Sequence, residues 1–141
     1  MKPERCFVDT NLFLRYLTND VPEQADAVER LLRRAAAGEI GLVTNGLVLA
    51  EIVWVLESYY HLPPPAIREK VLAILNTPGL DVPDSGLVLQ AITWYAEQNV
   101  DFIDAYNAAW MQEQGINTVY TFDQRHFTRL RGIVAQVPTG D

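Results

Sequence analysis

At Phe7-Val8-Asp9-Thr10-Asn11 a short apolar run ends in a carboxylate and is followed at once by a helical pattern. Read as a strand, residues 5–8 deliver Asp9 to the strand's carboxyl end, which in open α/β sheets is the edge where ligands and catalytic groups collect. An Asp at such a boundary can also cap the following helix by accepting hydrogen bonds from its free backbone N–H groups. Asp9 is therefore either a site residue or a helix cap, and both interpretations stay open at this point.

The composition predicts one globular domain. The chain has 141 residues, of which 49% are hydrophobic and 21% are charged, and such a chain can bury roughly two thirds of its unfolded surface. Residues 1–5 lack the hydrophobic stretch of a signal peptide, and no apolar run approaches the roughly 20 residues that span a bilayer, so we expect a cytoplasmic protein without membrane contact. Cys6 is the single cysteine, which excludes an internal disulfide and a cysteine-based zinc cluster, and we interpret it as a core thiol.

The charge balance bears on the kind of partner. The formal net charge is -7, which argues against a protein that grips nucleic acid through bulk electrostatics, because that mode needs many Lys and Arg side chains on the phosphates. A nuclease is not excluded. Acidic residues that hold divalent cations can meet a phosphate through the metal.

Strand and helix patterns alternate along the chain. Helical spacing and stop signals predict helices over residues 12–18, 23–37 and 46–60. A fourth helix starts at the prolines of residues 63–65 and is closed by Thr77-Pro78-Gly79, a fifth is introduced by Pro83-Asp84 and runs to Gln98, and a sixth starts near Asp101 and Asp104 and runs to Gly115. Apolar runs predict short strands over residues 5–8, 41–43, 80–82, 119–122 and 133–135. This alternation is typical of an α/β fold, so we expect a single α/β/α domain over residues 1–141 with a central, mainly parallel sheet flanked by helices.

Glu51 is out of place in the apolar helix predicted over residues 46–60, since its neighbours one turn away are all apolar. An ionised carboxylate buried there would be costly unless it were paired with a cation or responded with a raised pKa. The alternative is that Glu51 lies on a solvent-exposed face of the helix together with Glu57 and Ser58.

Asp101 and Asp104 stand three residues apart at the start of the last predicted helix. This spacing brings two side chains near one another, and Asp101 is the better cap, which leaves Asp104 free. Acidic residues also suit a helix N-terminus through the helix dipole alone.

Asp123 follows the strand predicted over residues 119–122, just as Asp9 follows residues 5–8. If these strands are parallel, the two acids lie at the same edge of the sheet, where Glu51 and Asp104 could join them in one pocket. Like charges repel, so such a cluster needs protonation or a hard cation such as Mg²⁺ or Mn²⁺. Zinc is disfavoured with one cysteine and two histidines far apart in the sequence. Two such metals about 3.5 to 4 Å apart would suit hydrolysis of a phosphodiester.

Four motifs carry a family resemblance through their order and spacing. They are Val8-Asp9-Thr10-Asn11, Glu51-Ile52-Val53-Trp54-Val55-Leu56, Asp101-Phe102-Ile103-Asp104-Ala105, and Thr121-Phe122-Asp123 ahead of Phe127. Together they resemble those of the PIN-domain ribonucleases, and within them the VapC-like toxins of bacterial and archaeal toxin–antitoxin pairs.

The resemblance implies roles for seven residues. As the metal-binding and catalytic quartet it implies Asp9, Glu51, Asp104 and Asp123. As polar residues that support the site it implies Asn11 and Thr121, with Asp101 as an acid that assists or merely caps. It also implies an Mg²⁺- or Mn²⁺-dependent endoribonuclease that acts on RNA, often as a homodimer, and a cognate antitoxin whose peptide lies over apolar helices and the acidic pocket.

Several alternatives remain beside this interpretation. Arg15, Arg125 and His126 could touch backbone phosphates or be ordinary surface residues. A phosphoryl transferase of the haloacid dehalogenase type would carry a second Asp two residues after Asp9, where this chain has Asn11. A PIN-type nuclease of RNA processing outside a toxin–antitoxin pair and a non-catalytic metal-binding interaction module are the other candidates.

Overall fold

The computed structural model describes residues 3–140. The expectation that residues 1–5 carry no signal peptide falls partly on Met1 and Lys2, which lie outside the described residues. The chain forms two compact units that meet in sequence between Ser85 and Gly86, and the expected single domain stays a prediction. Between residues 3 and 140 no helix combines the length and the apolar character needed to cross a membrane.

The first unit alternates strands and helices in the predicted order. Its elements are β1 (Arg5–Phe7), α1 (Thr10–Thr18), α2 (Pro22–Ala36), β2 (Gly41–Val43), α3 (Gly46–Ser58), α4 (Pro64–Leu75) and β3 (Leu80–Asp81). The strands are parallel in the order β1-β2-β3, with Cys6 opposite Leu42 and Val43 opposite Asp81. Parallel strands joined by helices confirm the predicted α/β class.

Side chains from β2, α3 and α4 make the core of this unit. The most completely buried are Leu42, Leu49, Ile52, Leu56, Ile67 and Val71. Those of α3 recur at helical spacing, so one face of the helix is apolar and buried and the opposite face is free for other residues. The interpretation of Cys6 as a core thiol is wrong, because it is half-buried in a strand at the end of the sheet order, whose neighbours Arg5 and Phe7 are exposed.

The second unit continues the alternation. Its elements are α5 (Ser85–Gln98), α6 (Phe102–Glu113), β4 (Thr118–Tyr120), a 3₁₀ turn (Phe127–Arg129) and β5 (Val134–Gln136). The first residue of α5, Ser85, is counted with the first unit. β4 and β5 pair in parallel, with Thr118 opposite Val134. The strand expected over residues 119–122 thus ends two residues early, at Tyr120. The Thr121 N–H still donates to the carbonyl oxygen of Gln136, and the Thr121 hydroxyl bonds the backbone of Asp123 in a turn.

The core of the second unit lies along α5 and α6. The residues of α5 predicted to face inward are all buried: Val88, Ala91, Ile92 and Tyr95. The small residues behind Asp104 are buried too: Ala105, Ala108 and Ala109. The rings of Tyr95 and Phe102 meet edge to face with their centroids 6.5 Å apart, which joins the end of α5 to the start of α6.

Gly79 precedes β3 at a point where a side chain has no room. Its φ is +81°, and a Cβ added there would lie 2.3 Å from the carbonyl oxygen of Ala35. The backbone at the end of α2 therefore approaches Gly79 directly. Gly38 has nearly the same φ, +80°, but a Cβ there would meet nothing within 4 Å.

We expect Gly79→Ala to lower the free energy of unfolding by at least about 2 kcal/mol, because the methyl group adds a backbone clash to the strain of a positive φ. Gly38→Ala is the matched control, since it carries only the strain and should cost about 1 kcal/mol. Urea denaturation of both variants measures the difference. Equal losses in the two variants would contradict the close approach at Gly79.

A hydrogen-bonded cluster links the end of α1 to the segment after α3. The Tyr60 hydroxyl donates to Oδ2 of Asp20 at 2.7 Å, and the Thr18 hydroxyl and the Arg15 guanidinium donate to Oδ1 at 3.0 and 3.3 Å. The hydrogen bonds from Tyr60 and Thr18, with a smaller effect of Arg15, lower the pKa of Asp20. The same bond raises the pKa of Tyr60. The folded state therefore favours ionised Asp20 and neutral Tyr60.

Removing the hydrogen bond from Tyr60 to Asp20 should make the free energy of unfolding vary less with pH between pH 7 and pH 3. A lowered carboxyl pKa contributes stability above the unfolded value of about 3.9, and that contribution is lost as the pH falls through the folded pKa. We expect Tyr60→Phe to lower the urea midpoint at pH 7 and to approach the wild-type midpoint below pH 3. Tyr16→Phe, an exposed tyrosine outside the cluster, should leave the midpoint unchanged. A Tyr60→Phe effect of equal size at both pH values would show that Asp20 is not the group involved.

Candidate functional site

The backbone just before Asp9 is fixed from two sides. The Val8 N–H donates to the carbonyl oxygen of Val43 at 2.8 Å, and the Thr44 hydroxyl donates to the carbonyl oxygen of Val8 at 2.9 Å. Thr44 is completely buried, so this bond is shielded from competing water. The carboxyl end of β1 is thereby held against the carboxyl end of β2.

Asp9 occupies the N-cap position of α1 with extended backbone angles, but its side chain makes no capping hydrogen bond. Capping by the carboxylate is therefore not its role in this structure. The side chain is exposed, as is that of Asn11 two residues later. The carboxylate of Asp9 is thus left available at the end of a strand.

The start of α3 is capped twice. Asn45 accepts the Val48 N–H through Oδ1 at 3.2 Å, and Oδ2 of Asp84 accepts the Gly46 N–H at 3.0 Å. These bonds satisfy backbone donors that the helix itself cannot pair. They fix the helix that carries Glu51.

Glu51 lies on the exposed side of α3, between Leu47 and Trp54, whose residue exposures are 82% and 66%. These three residues are spaced by one helical turn and face away from the buried side of the helix. The predicted cost of burying Glu51 therefore does not arise. Glu57 and Ser58 are exposed as well, which agrees with the alternative that Glu51 lies on a solvent-exposed face of the helix. The flanking apolar residues make this face unusual for a solvated surface.

In the second unit Asp101 and Asp104 have different partners. Asp101 is the N-cap of α6 and accepts the Asp104 N–H through Oδ2 at 3.4 Å, which confirms the predicted cap. Oδ2 of Asp104 lies 3.0 Å from Nδ1 of His126. The side chains of this pair are largely covered, with exposures of 32% for Asp104 and 20% for His126.

Asp123 follows β4 within a short turn. Its N–H donates to the Thr121 hydroxyl, and that hydroxyl lies 3.1 Å from the carbonyl oxygen of Asp123. Oδ1 of Asp123 accepts the Arg125 N–H at 3.2 Å, and Oδ2 lies 3.3 Å from the Arg125 guanidinium. Both carboxylate oxygens are therefore engaged within the turn, although the ion pair is exposed and easily exchanged.

Each of the three residues predicted as possible phosphate contacts has a carboxylate partner in its own unit. Arg15 pairs with Asp20, Arg125 with Asp123, and His126 with Asp104. Sequence reasoning did not find the His126 partner, because 22 positions separate it from Asp104 and no local spacing signals the contact. Directly after β2 the sequence offers Thr44 or Asn45 as the cap of the next helix, and the structure gives the cap to Asn45. The bond from Thr44 to Val8 was missed, because 36 positions separate the two residues.

The four predicted ligands fit a divalent metal by the chemistry of their donors. Mg²⁺ and Mn²⁺ prefer oxygen ligands, and carboxylates supply them. Asp9 and Glu51 belong to the first unit, and Asp104 and Asp123 to the second. In the part of the chain that the structure describes, neither unit by itself gathers three acidic, histidine or cysteine side chains around a metal position. A shared site for all four stays a prediction.

A family model for the PIN domain matches residues 6–133. The chain belongs to the PIN-domain family. The match spans the positions of all four predicted ligands, and it agrees with the family to which the sequence motifs point.

Individual relatives of this PIN domain are distant. A VapC ribonuclease of Aquifex aeolicus (strain VF5) is 25% identical over 118 residues, which cover 84% of this chain and 87% of that protein. Mycobacterium tuberculosis VapC20, a toxin that cleaves the sarcin–ricin loop, is 22% identical with a TM-score of 0.36, covering 85% of this chain and 91% of that one. VapBC2 from Rickettsia felis, bound to a DNA fragment from its promoter, is 14% identical with a TM-score of 0.37, covering 96% and 99%.

We expect Thr44→Val to lower the free energy of unfolding by about 1–2 kcal/mol, because the near-isosteric change leaves the buried carbonyl of Val8 without its donor. Thr77→Val is the control, since the Thr77 hydroxyl, just beyond the end of α4, bonds only the carbonyl oxygen of Ala73 four residues before it, and should cost less than about 0.5 kcal/mol. Chemical denaturation compares the two. Equal costs would mean that the bond to Val8 does not hold the end of β1.

Proposed function

We propose that this PIN domain is a metal-dependent endoribonuclease that hydrolyses RNA phosphodiester bonds as the toxin component of a toxin–antitoxin pair. The observation that carries the proposal is the family match over residues 6–133. Support comes from the relative named VapC ribonuclease, which is aligned over 87% of its length.

In this proposal the carboxylates of Asp9, Glu51, Asp104 and Asp123 hold Mg²⁺ or Mn²⁺. Asp9 and Glu51 favour it because both are exposed and the carboxylate of neither forms a hydrogen bond or ion pair with another described residue. Asp104 uses Oδ2 toward His126, which leaves Oδ1 for a ligand. Asp123 would exchange its exposed Arg125 partner for the cation.

The acidity of the chain fits this proposal. With a formal net charge of -7, the protein repels a polyanion unless cations intervene, and divalent ions held by carboxylates reverse the local charge. When bound, such an ion supplies an activated water and offsets the negative charge that develops on the phosphodiester. The protein itself would then have to orient the four carboxylates toward the ion. The bonds at Val8, at Asp104 and around Asp123 provide that orientation.

We further propose a cognate antitoxin that covers the exposed face of α3, together with a homodimeric state. The apolar residues on either side of Glu51 support the first part, because Leu47 and Trp54 expose most of their surface and such side chains favour a protein partner. An antitoxin seated there would also screen one of the proposed ligands from RNA.

Metal-dependent cleavage of RNA tests the proposal. Purified protein is incubated with labelled structured and single-stranded RNAs, with Mn²⁺ or Mg²⁺ and with or without EDTA, and the products are sequenced. Asp9→Asn and Asp104→Asn should each reduce cleavage beyond the roughly 10- to 100-fold loss typical of a residue that only supports a metal ligand. Asn suits an N-cap as well as Asp does, so the first variant should keep its fold.

Asp26→Asn is the matched control, since Asp26 is an exposed carboxylate on α2 outside the proposed quartet. It should cut at the wild-type rate. Cleavage that survives EDTA, or full metal-dependent activity in either quartet variant, would contradict the proposal.

A further inference from the structure

His126 stands directly against the start of α6. Its Nδ1 lies 3.0 Å from Oδ2 of Asp104 and 3.3 Å from the backbone nitrogen of Asp101. The ring therefore meets a carboxylate oxygen and an N–H group with the same nitrogen atom.

One nitrogen cannot serve both neighbours in the same way. The carboxylate of Asp104 can only accept a hydrogen bond, so Nδ1 must carry a proton to bond it, whereas the Asp101 N–H would need a bare Nδ1. The carboxylate contact is shorter and involves a charged acceptor, which makes it the stronger interaction. We conclude that Nδ1 carries the proton and donates to Asp104.

The turn that follows Asp123 is ordered by several hydrogen bonds. Arg129 donates through its guanidinium to the carbonyl oxygen of Asn99 and through its N–H to that of His126. The Thr128 hydroxyl donates to the carbonyl oxygen of Arg125, and the Phe127 side chain is buried. His126 thus belongs to an ordered turn that connects the Asp123 segment to the first turn of α6.

We propose that His126 is a positioning residue that orients the carboxylate of Asp104 for its ligand. The proposal rests on the proposed function, in which Asp104 holds the metal. A carboxylate can rotate about χ2, and a fixed donor on Oδ2 leaves Oδ1 as the oxygen that is presented. Residues that hold a metal ligand in this way typically contribute about 10- to 100-fold to metal affinity or activity.

Two amide substitutions separate positioning from mere packing. Asn places its amide nitrogen near the position of the ring Nδ1, whereas Gln places its amide nitrogen near that of Nε2. We expect His126→Asn to keep Mn²⁺ affinity and RNA cleavage within about threefold of wild type. His126→Gln should lose about 10- to 100-fold in one or both. Calorimetric titration with Mn²⁺ alone and the cleavage rate are the two readouts.

A control variant tests whether a loosened turn has the same effect. Thr128→Val removes a hydrogen bond of the same turn without touching Asp104, and it should leave the Mn²⁺ affinity unchanged. Urea midpoints of the two His126 variants should agree. A Thr128→Val loss equal to that of His126→Gln, or equal behaviour of the Asn and Gln variants, would overturn the positioning role.

The proton on Nδ1 can be observed independently of activity. The chain has two histidines, and His61→Asn identifies their signals in a long-range ¹H–¹⁵N correlation spectrum. Asn tolerates the positive φ of 55° at this exposed position. We expect a protonated Nδ1 in wild type and the Nε2–H form in Asp104→Ala. A bare Nδ1 in wild type would overturn the proposal.

The outcomes separate the two proposals. A wild-type protein that binds Mn²⁺ with the expected difference between Asn and Gln, but cuts no RNA, keeps the positioning role and contradicts the nuclease. A protein that cuts RNA equally well with Asn and Gln at position 126 keeps the nuclease and contradicts the positioning role.

Discussion

The hydrogen bond from the Thr44 hydroxyl to the carbonyl oxygen of Val8 is the constraint on which the first unit depends. It closes the carboxyl ends of β1 and β2 at a completely buried position, immediately before the residues that begin α1 and α3. Because both helices start from this point, the places of Asp9 and Glu51 follow from it. A carboxylate that only capped its helix would be occupied there, whereas Asp9 is at the cap position and makes no capping bond. The carboxylate of Asp9 thus lies at the end of a strand and makes no capping hydrogen bond that would stabilise the fold.

The second unit reaches a comparable result by other means. Asp101 caps α6, so the carboxylate of Asp104 is not needed as a cap. One oxygen of Asp104 instead contacts His126. Asp123 is held within its own turn by Thr121 and Arg125. Asp104 is therefore held by the imidazole of His126, and Asp123 by an exposed ion pair that exchanges easily. In the proposed metal site Asp104 would keep its bond to His126, whereas Asp123 would exchange its ion pair with Arg125 for the cation.

The periodic parts of the chain could be predicted from sequence. Helix spacing located the inward residues of α5, and the proline and glycine signals placed most element ends within two residues, because these patterns reflect local backbone preferences and burial. The end of β4 was missed because an apolar run conceals the turn in which the Thr121 hydroxyl bonds the backbone of Asp123. Cys6 was misread because burial depends on where a strand stands in the sheet order. The contact of His126 with Asp104 joins distant positions, so no local pattern could reveal it.

We propose that Asp9, Glu51, Asp104 and Asp123 bind divalent metal in common, and an anomalous difference map from crystals grown with Mn²⁺ tests this proposal most directly. The account predicts a manganese peak about 2.1 Å from carboxylate oxygens of both Asp9 and Asp104, with Glu51 and Asp123 completing its surroundings. Manganese bound elsewhere, or a peak ligated by residues of one unit alone while the other two acids face solvent, would contradict it.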